Sequence, residues 1–301
     1  MVRGSLRARG VALHLLALGG VFVAGCGGGG SSGVAAPNKP PIASARLSGE
    51  AVMNATATFD TTGTADSDGS IVSRAWNYGD GRTGTTDVHV YAASGTFTAT
   101  YTVTDNTGGS ASTTVSVAVA KCSAAGLASA ALSPHTTVCV QSSRGEMVFE
   151  IYTLQAPVTA ANFMKYVNDG FFGGTIFHRV IPGFVLQGGG FTPGMVAKTQ
   201  TYPAIALESS TGLKNWRYTL AMARTSAPNS ATSQFFVNLV DNAALDYNPA
   251  NALPNGYAVF GQVIHGTAVV DAMANVATGA VAGFLDVPVD DIVIRGMVRV
   301  P

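Results

Sequence analysis

The sequence predicts a mostly β protein built from two successive units, an antiparallel sandwich followed by a closed antiparallel barrel. Three observations carry this expectation. ATATFD, SRAWNY, GTFTATYTVTD and SASTTVSVAV, spread over residues 55–119, put apolar side chains at every second position, the period of strands with one buried face. After Cys139 short apolar runs continue, with only two helical patterns among them and no regular strand–helix–strand alternation; this favours a closed sheet over a parallel α/β fold. The chain has 301 residues, 36 of them glycine, and only 11% are charged, which suits sheet-rich globular units rather than disorder. Seventeen basic and seventeen acidic residues cancel, so the charge balance gives no reason to expect a nucleic-acid partner.

The N-terminal segment reads as an address. Arg3, Arg7 and Arg9 precede an apolar stretch, Val11–Val23, of signal-peptide length. The stretch ends in VAGC and runs into GGGGSSG. Small residues up to a cysteine resemble the lipobox of bacterial lipoproteins. The resemblance implies a signal peptide over 1–25, acylation of Cys26, and a lipid-anchored protein of the bacterial cell envelope facing the periplasm or the exterior; ordinary secretion after cleavage near Ala24 is the alternative. Residues 26–36 then form a flexible Gly/Ser-rich tether. With Cys26 set aside, Cys122 and Cys139 remain. In an exported protein such a pair points to a disulfide, two free thiols being the other possibility. No cluster of histidines accompanies them, so no metal site is expected.

Residues 37–120 form the sandwich, about seven strands separated by Asp-Gly and Gly-Gly turn pairs. DSDGSI at 66–71, WNYGDG at 76–81 and the stretch from Tyr91 to Gly109 occur in the order that resembles a PKD domain. The resemblance implies a spacer or adhesive module with a protein or polysaccharide contact. Asp66, Asp68 and Asp80 either shape turns by bonding their own backbone or offer oxygen ligands to calcium.

Residues 121–135 read as a linker, and 136–301 as the barrel. TVCVQSSRGEMVFEIY is a hairpin turning at Arg144-Gly145. APVTAANFMKYVNDGFF is a helix with Pro157 in its first turn, Thr159 near a cap position and Gly170 at its end. FHRVIPGFVLQGGG, RYTLAMAR, SQFFVNL, GYAVFGQVI and DIVIRGMVRV are further strands, and VVDAMANV is a second helix. The triple glycine at 188–190 permits a tight turn, and Trp216 is expected to pack. His178 has no second ligand at metal spacing, and no strand–elbow–helix context supports a serine nucleophile.

FHRVIPGFVLQGG, LAMAR with SATSQFFVNL, the Leu245-Asp246 pair and GYAVFGQV resemble, in order, the signature segments of cyclophilins, the peptidyl-prolyl cis/trans isomerases. The resemblance implies an eight-stranded barrel capped by two helices, no cofactor, and proline-containing unfolded or surface-exposed polypeptides as partners. It places Arg179 at the proline nitrogen, Gln187 as the group that orients it, and Phe184, Val185, Met222, Phe236 and Leu245 around the proline ring. His178, Ile181, Ala223, Arg224, Gln234 and Tyr257 fall at positions along the groove. Such a constellation needs neither nucleophile nor metal, because isomerisation makes and breaks no bond. A non-catalytic proline-peptide binding or adhesion protein is the alternative.

Overall fold

The computed structural model describes residues 36–251 and 255–301. The expected signal peptide, Cys26 and nearly all of the tether lie outside the described residues.

The first unit is a sandwich of two sheets. Strands 46–48, 56–60 and 88–90 form one; strands 51–52, 110–120, 95–105, 71–77 and 83–84, in that spatial order, form the other. Alternation drives the packing: Ala57 and Phe59 from the first sheet meet Trp76, Tyr101, Val103 and Val117 from the second, all nearly inaccessible to water. The Phe59 and Trp76 rings meet at a tilt with centroids 4.4 Å apart. One pairing departs from the expected antiparallel pattern. The two-residue strand Ala51–Val52 runs parallel to Val119–Ala120, because the chain changes sheets immediately after Ser48 and joins the far end of the last strand.

Residues 121–135, read as a linker, contain a helix, α1 (Ala124–Ala131), capped by Ser123 Oγ accepting from the Gly126 amide. Cys122 and Cys139 are disulfide-bonded, and both pack with Ala130, Val148 and Val300 on the outer side of the barrel.

Eight antiparallel strands close the barrel: β1 (Thr136–Ser142), β2 (Gly145–Ile151), β3 (Ile176–Ile181), β4 (Val185–Gly188), β5 (Thr219–Met222), β6 (Phe235–Asn238), β7 (Val259–His265) and β8 (Ile292–Val300). Around the circumference they follow β2-β7-β5-β6-β4-β3-β8-β1. Helix α2 (Pro157–Asn168) contributes Phe163, Tyr166 and Val167 to the interior, and α3 (Thr267–Ala274) contributes Val270 and Met273. Phe163 touches the rings of Phe172, Phe235 and Phe260, so the helix is held by burial of its apolar stripe. The two helices expected to cap the barrel are α2 and α3; α1 is a third, lying outside.

Two local expectations need correction. Thr159 does not cap α2: it is wholly buried, while the Glu208 carboxylate accepts from the Val158 and Thr159 amides at 3.3 and 3.0 Å. An acid from a distant loop thus satisfies the helix's first amides and faces the positive end of its dipole. Trp216 does not pack either; it is 63% exposed. Between α3 and β8 lies a hairpin absent from the sequence reading, strands 278–281 and 284–288.

Candidate active site

The groove is assembled from four neighbouring strands and one short turn. Strand β3 raises a problem of register. Side chains alternate along a strand, so Phe177 and Arg179 belong on one face, and Phe177 is in the barrel core. A β-bulge resolves this. Phe177 pairs with Gly188 but Arg179 pairs with Gln187, so His178 is an extra residue opposite the β4 ladder. After the bulge Val180 pairs with Leu186 inside the core, and Arg179 stands beside Gln187 on the groove side. A charged residue in an apolar strand is thereby turned outward without unpairing the strand.

Arg179, Phe184, Val185, Gln187, Ala223, Arg224, Phe236, Leu245 and Tyr257 line one cavity of about 150 Å³. Its apolar floor is continuous: Val185, Ala221, Phe236 and Val259 are buried together, with Phe184, Leu245 and Tyr257 packed on them. Phe236 meets Tyr257 edge-on at 5.6 Å. Leu245 sits on a short 3-10 turn, Ala243–Leu245, whose carbonyl accepts from the Tyr257 amide and from the Asn215 side chain. Arg224 is fixed by bonds to the Gly256 and Thr225 carbonyls and lies over the Tyr257 ring at 4.7 Å.

A second, more polar cavity of about 340 Å³ shares Gln187, Ala223 and Arg224 and adds Gln200, Thr225, Ser230, Thr232 and Gln234. Gln187 Nε2 donates to Gln234 Oε1 at 2.9 Å, which ties a residue shared by both cavities to the wall of the second. Gly190 makes room for this pair. A Cβ there would come within about 2.5 Å of Gln234, and at neighbouring Gly189 φ is +84°, disfavoured for other residues.

Arg179 is 40% exposed at its side chain, and its Nε lies 3.9 Å from Asp286 Oδ2 in the 278–288 hairpin. Two other acids of the barrel unit are engaged elsewhere. Glu208 caps α2, and Asp246 holds Asn215 and Lys214.

Three of the residues anticipated along the groove lie elsewhere. Met222 is 2% exposed in the barrel core; alternation on β5 sends Ala221 and Ala223 to the groove face instead. His178, the bulge residue, is 4% exposed against the Phe191 ring, with centroids 4.7 Å apart. Burial, reinforced by the nearby Arg179 charge, lowers its pKa to about 4. It is a neutral packing residue at neutral pH. Ile181, at the end of β3, is half-buried and outside both cavities. Sequence reasoning missed Asp286 and the polar wall of Gln200, Ser230 and Thr232, none of which sits in a distinctive local pattern. In the sandwich, Asp66, Asp68 and Asp80 each accept a bond from a backbone amide: Asp68, Lys39 and Arg82 respectively.

Residues 137–299 match the family of cyclophilin type peptidyl-prolyl cis-trans isomerases, and residues 38–120 match the PKD domain. The chain belongs to the cyclophilin-type peptidyl-prolyl cis-trans isomerases. Its barrel is 50% identical over 160 residues to peptidyl-prolyl cis-trans isomerase cyp18 of Streptomyces antibioticus, an alignment covering 53% of this chain and 96% of that one. It is 47% identical over 160 residues to peptidyl-prolyl cis-trans isomerase B of Escherichia coli, covering 53% and 97%. Both similarities are about as long as the barrel unit, so a cyclophilin of this kind corresponds here to the C-terminal half of a longer chain.

Proposed function

We propose that this cyclophilin isomerises X-Pro bonds of exported, unfolded or surface-exposed polypeptides, with Arg179 as the donor to the twisted proline nitrogen. The observation that carries the reading is the shared cavity, in which a guanidinium stands at the rim of an apolar floor made by Phe184, Phe236 and Leu245. Rotation about an imide bond breaks amide resonance, at a barrier of ~18–20 kcal/mol. Midway, the nitrogen lone pair ceases to delocalise and becomes an acceptor. A fixed donor aimed there binds the transition state better than either planar form. A guanidinium suits this role because it does not deprotonate in proteins and presents a rigid fork.

The arginine does not act alone. A charge-assisted hydrogen bond nets about 1.5–3 kcal/mol, whereas raising a rate from roughly 0.01 to roughly 1,000 per second takes about 7 kcal/mol. The pocket supplies the rest. It grips the ring while the acyl side turns, and it excludes water from the amide, which strengthens the Arg179 contact. Upstream, the PKD unit serves as a spacer or a contact module, and acylation of Cys26 would tether the enzyme to the envelope as a folding aid for passing chains.

A protease-coupled proline-peptide assay on the full chain tests the catalytic reading. Arg179→Ala should lower kcat/KM about 10- to 100-fold, the factor that one charge-assisted hydrogen bond represents. Arg179→Lys should recover little of the loss. Full activity in Arg179→Ala would remove the arginine from the mechanism.

A further inference from the structure

We infer that Asp286 is a positioning residue for Arg179: it steadies the Nε edge of the guanidinium and leaves the other N–H donors to the bound imide. The inference rests on the role proposed for Arg179 above. Among the described residues, Asp286 is the one carboxylate within ion-pair distance of that side chain, at 3.9 Å. The residue that the family resemblance assigns to orientation, Gln187, instead gives its amide to Gln234.

The placement of Asp286 is built into the fold. The hairpin docks beside β3 on both flanks of the acid. On one side the Phe284 ring meets the edge of Phe191 at 5.1 Å, and Phe191 in turn packs on His178, the immediate neighbour of Arg179. On the other side Val287 is buried with Ile176 of the same strand and Met195. Asp286 itself adopts φ 61°, a left-handed conformation that costs most side chains energy and that Asp and Asn tolerate best. The backbone therefore fixes the direction in which the carboxylate leaves the hairpin. Both partners are close to 40% exposed, so the pair in itself adds little stability. Its effect falls on the orientation of the donor.

The test compares kcat and KM for a neutral proline peptide across the full chain, Asp286→Asn, Asp286→Gly, Arg179→Ala and the double variant Arg179→Ala/Asp286→Asn. Asn and Gly both accept the left-handed backbone, so the hairpin is retained while the charge is lost. Each single Asp286 variant should lose about two- to fivefold in kcat, the range open to an exposed ion pair, with KM nearly constant. Raising the salt from about 0.05 to about 1 M should bring the parent's kcat toward theirs and leave theirs unchanged, since screening acts only where the pair exists. In the Arg179→Ala background the Asp286 change should add nothing. Parent-like kcat in both Asp286 variants, with Arg179→Ala impaired, would overturn the inference and leave the arginine in place. An equal loss with and without Arg179 would overturn it too, marking a structural effect. A fully active Arg179→Ala would remove both readings together.

Discussion

The sandwich and the barrel are both aromatic-cored β units, yet they use their polar side chains in opposite ways. In the sandwich the acids are absorbed by their own neighbourhoods. Asp105 accepts from the Asn38 side chain, from Thr107 and from the Gly109 amide, and these bonds hold its carboxyl down at about 2. Asp87 takes the indole N–H of Trp76 and the Thr61 hydroxyl, and Asp80 pairs with His89. In the barrel, polar groups are gathered along one groove and left partly open to solvent: Arg179, Gln187, Gln234 and Arg224 line two adjoining cavities. The difference separates groups that hold a turn together from groups with bonding capacity left for a visitor.

The contrast can be broken most directly at the core of the sandwich. Trp76→Ala empties the centre of the sandwich and should cost about 3–5 kcal/mol, lowering the midpoint of a thermal transition followed by near-UV circular dichroism. The same variant should keep parent-like kcat/KM in the proline-peptide assay. A collapse of activity with the sandwich would show that the two units do not divide their labour as described.

A smaller effect is expected from the Cys122–Cys139 bond. The cysteines are 17 residues apart, and on a loop-entropy argument the bond contributes about 3 kcal/mol. Reduction, or Cys122→Ser, should destabilise the barrel by that order in denaturant titrations and leave the sandwich transition where it was.

His178 sharpens the comparison through pH. Its folded pKa of about 4 lies below the ordinary value of 6.5, so between these values the unfolded chain binds a proton that the folded barrel does not. The stability from keeping it neutral is complete above pH 6.5 and is lost as pH falls toward 4, by on the order of 3 kcal/mol at the acid end. Unfolding curves between pH 7 and 4 should show that slope in the parent, and His178→Leu should flatten it. Catalysis should stay nearly level from about pH 6 to 9, because the proposed chemistry moves no proton; a bell-shaped profile would contradict it. The smallest change is expected from Glu208→Gln, about 1 kcal/mol through the weakened cap of α2, read by chemical denaturation with activity intact.

Much of this was legible in the chain. Period-two alternation marks the strands of the sandwich, and the likeness of FHRVIPGFVLQGG and SQFFVNL to cyclophilin segments puts Arg179, Gln187 and Phe236 along one groove; all three line one cavity. What escaped had physical reasons. The resemblance puts Met222 at the pocket, but the register of β5 turns it into the core and gives the groove Ala221 and Ala223 instead. Thr159 had the chemistry of a cap, but Glu208 reaches the same amides from outside the local sequence. Asp286 lies 107 residues beyond Arg179, on a hairpin with no alternation strong enough to announce it. His178, which the resemblance puts along the groove, is carried inward by a bulge that leaves no mark in composition.

That bulge has a genetic corollary. Swapping one amino acid for another at position 179 can erase the cation but cannot relocate it, and losing the single codon at 178 would leave Phe177 opposite Gly188 and Arg179 opposite Gln187 in an unbroken ladder. The greasy ring and the guanidinium would keep opposite faces by plain alternation, and what would go is the imidazole wedged against Phe191. In this stretch the reading frame can spare the unpaired codon at 178 but not a paired one such as that of Val180, whose loss would displace its neighbours by one place against β4.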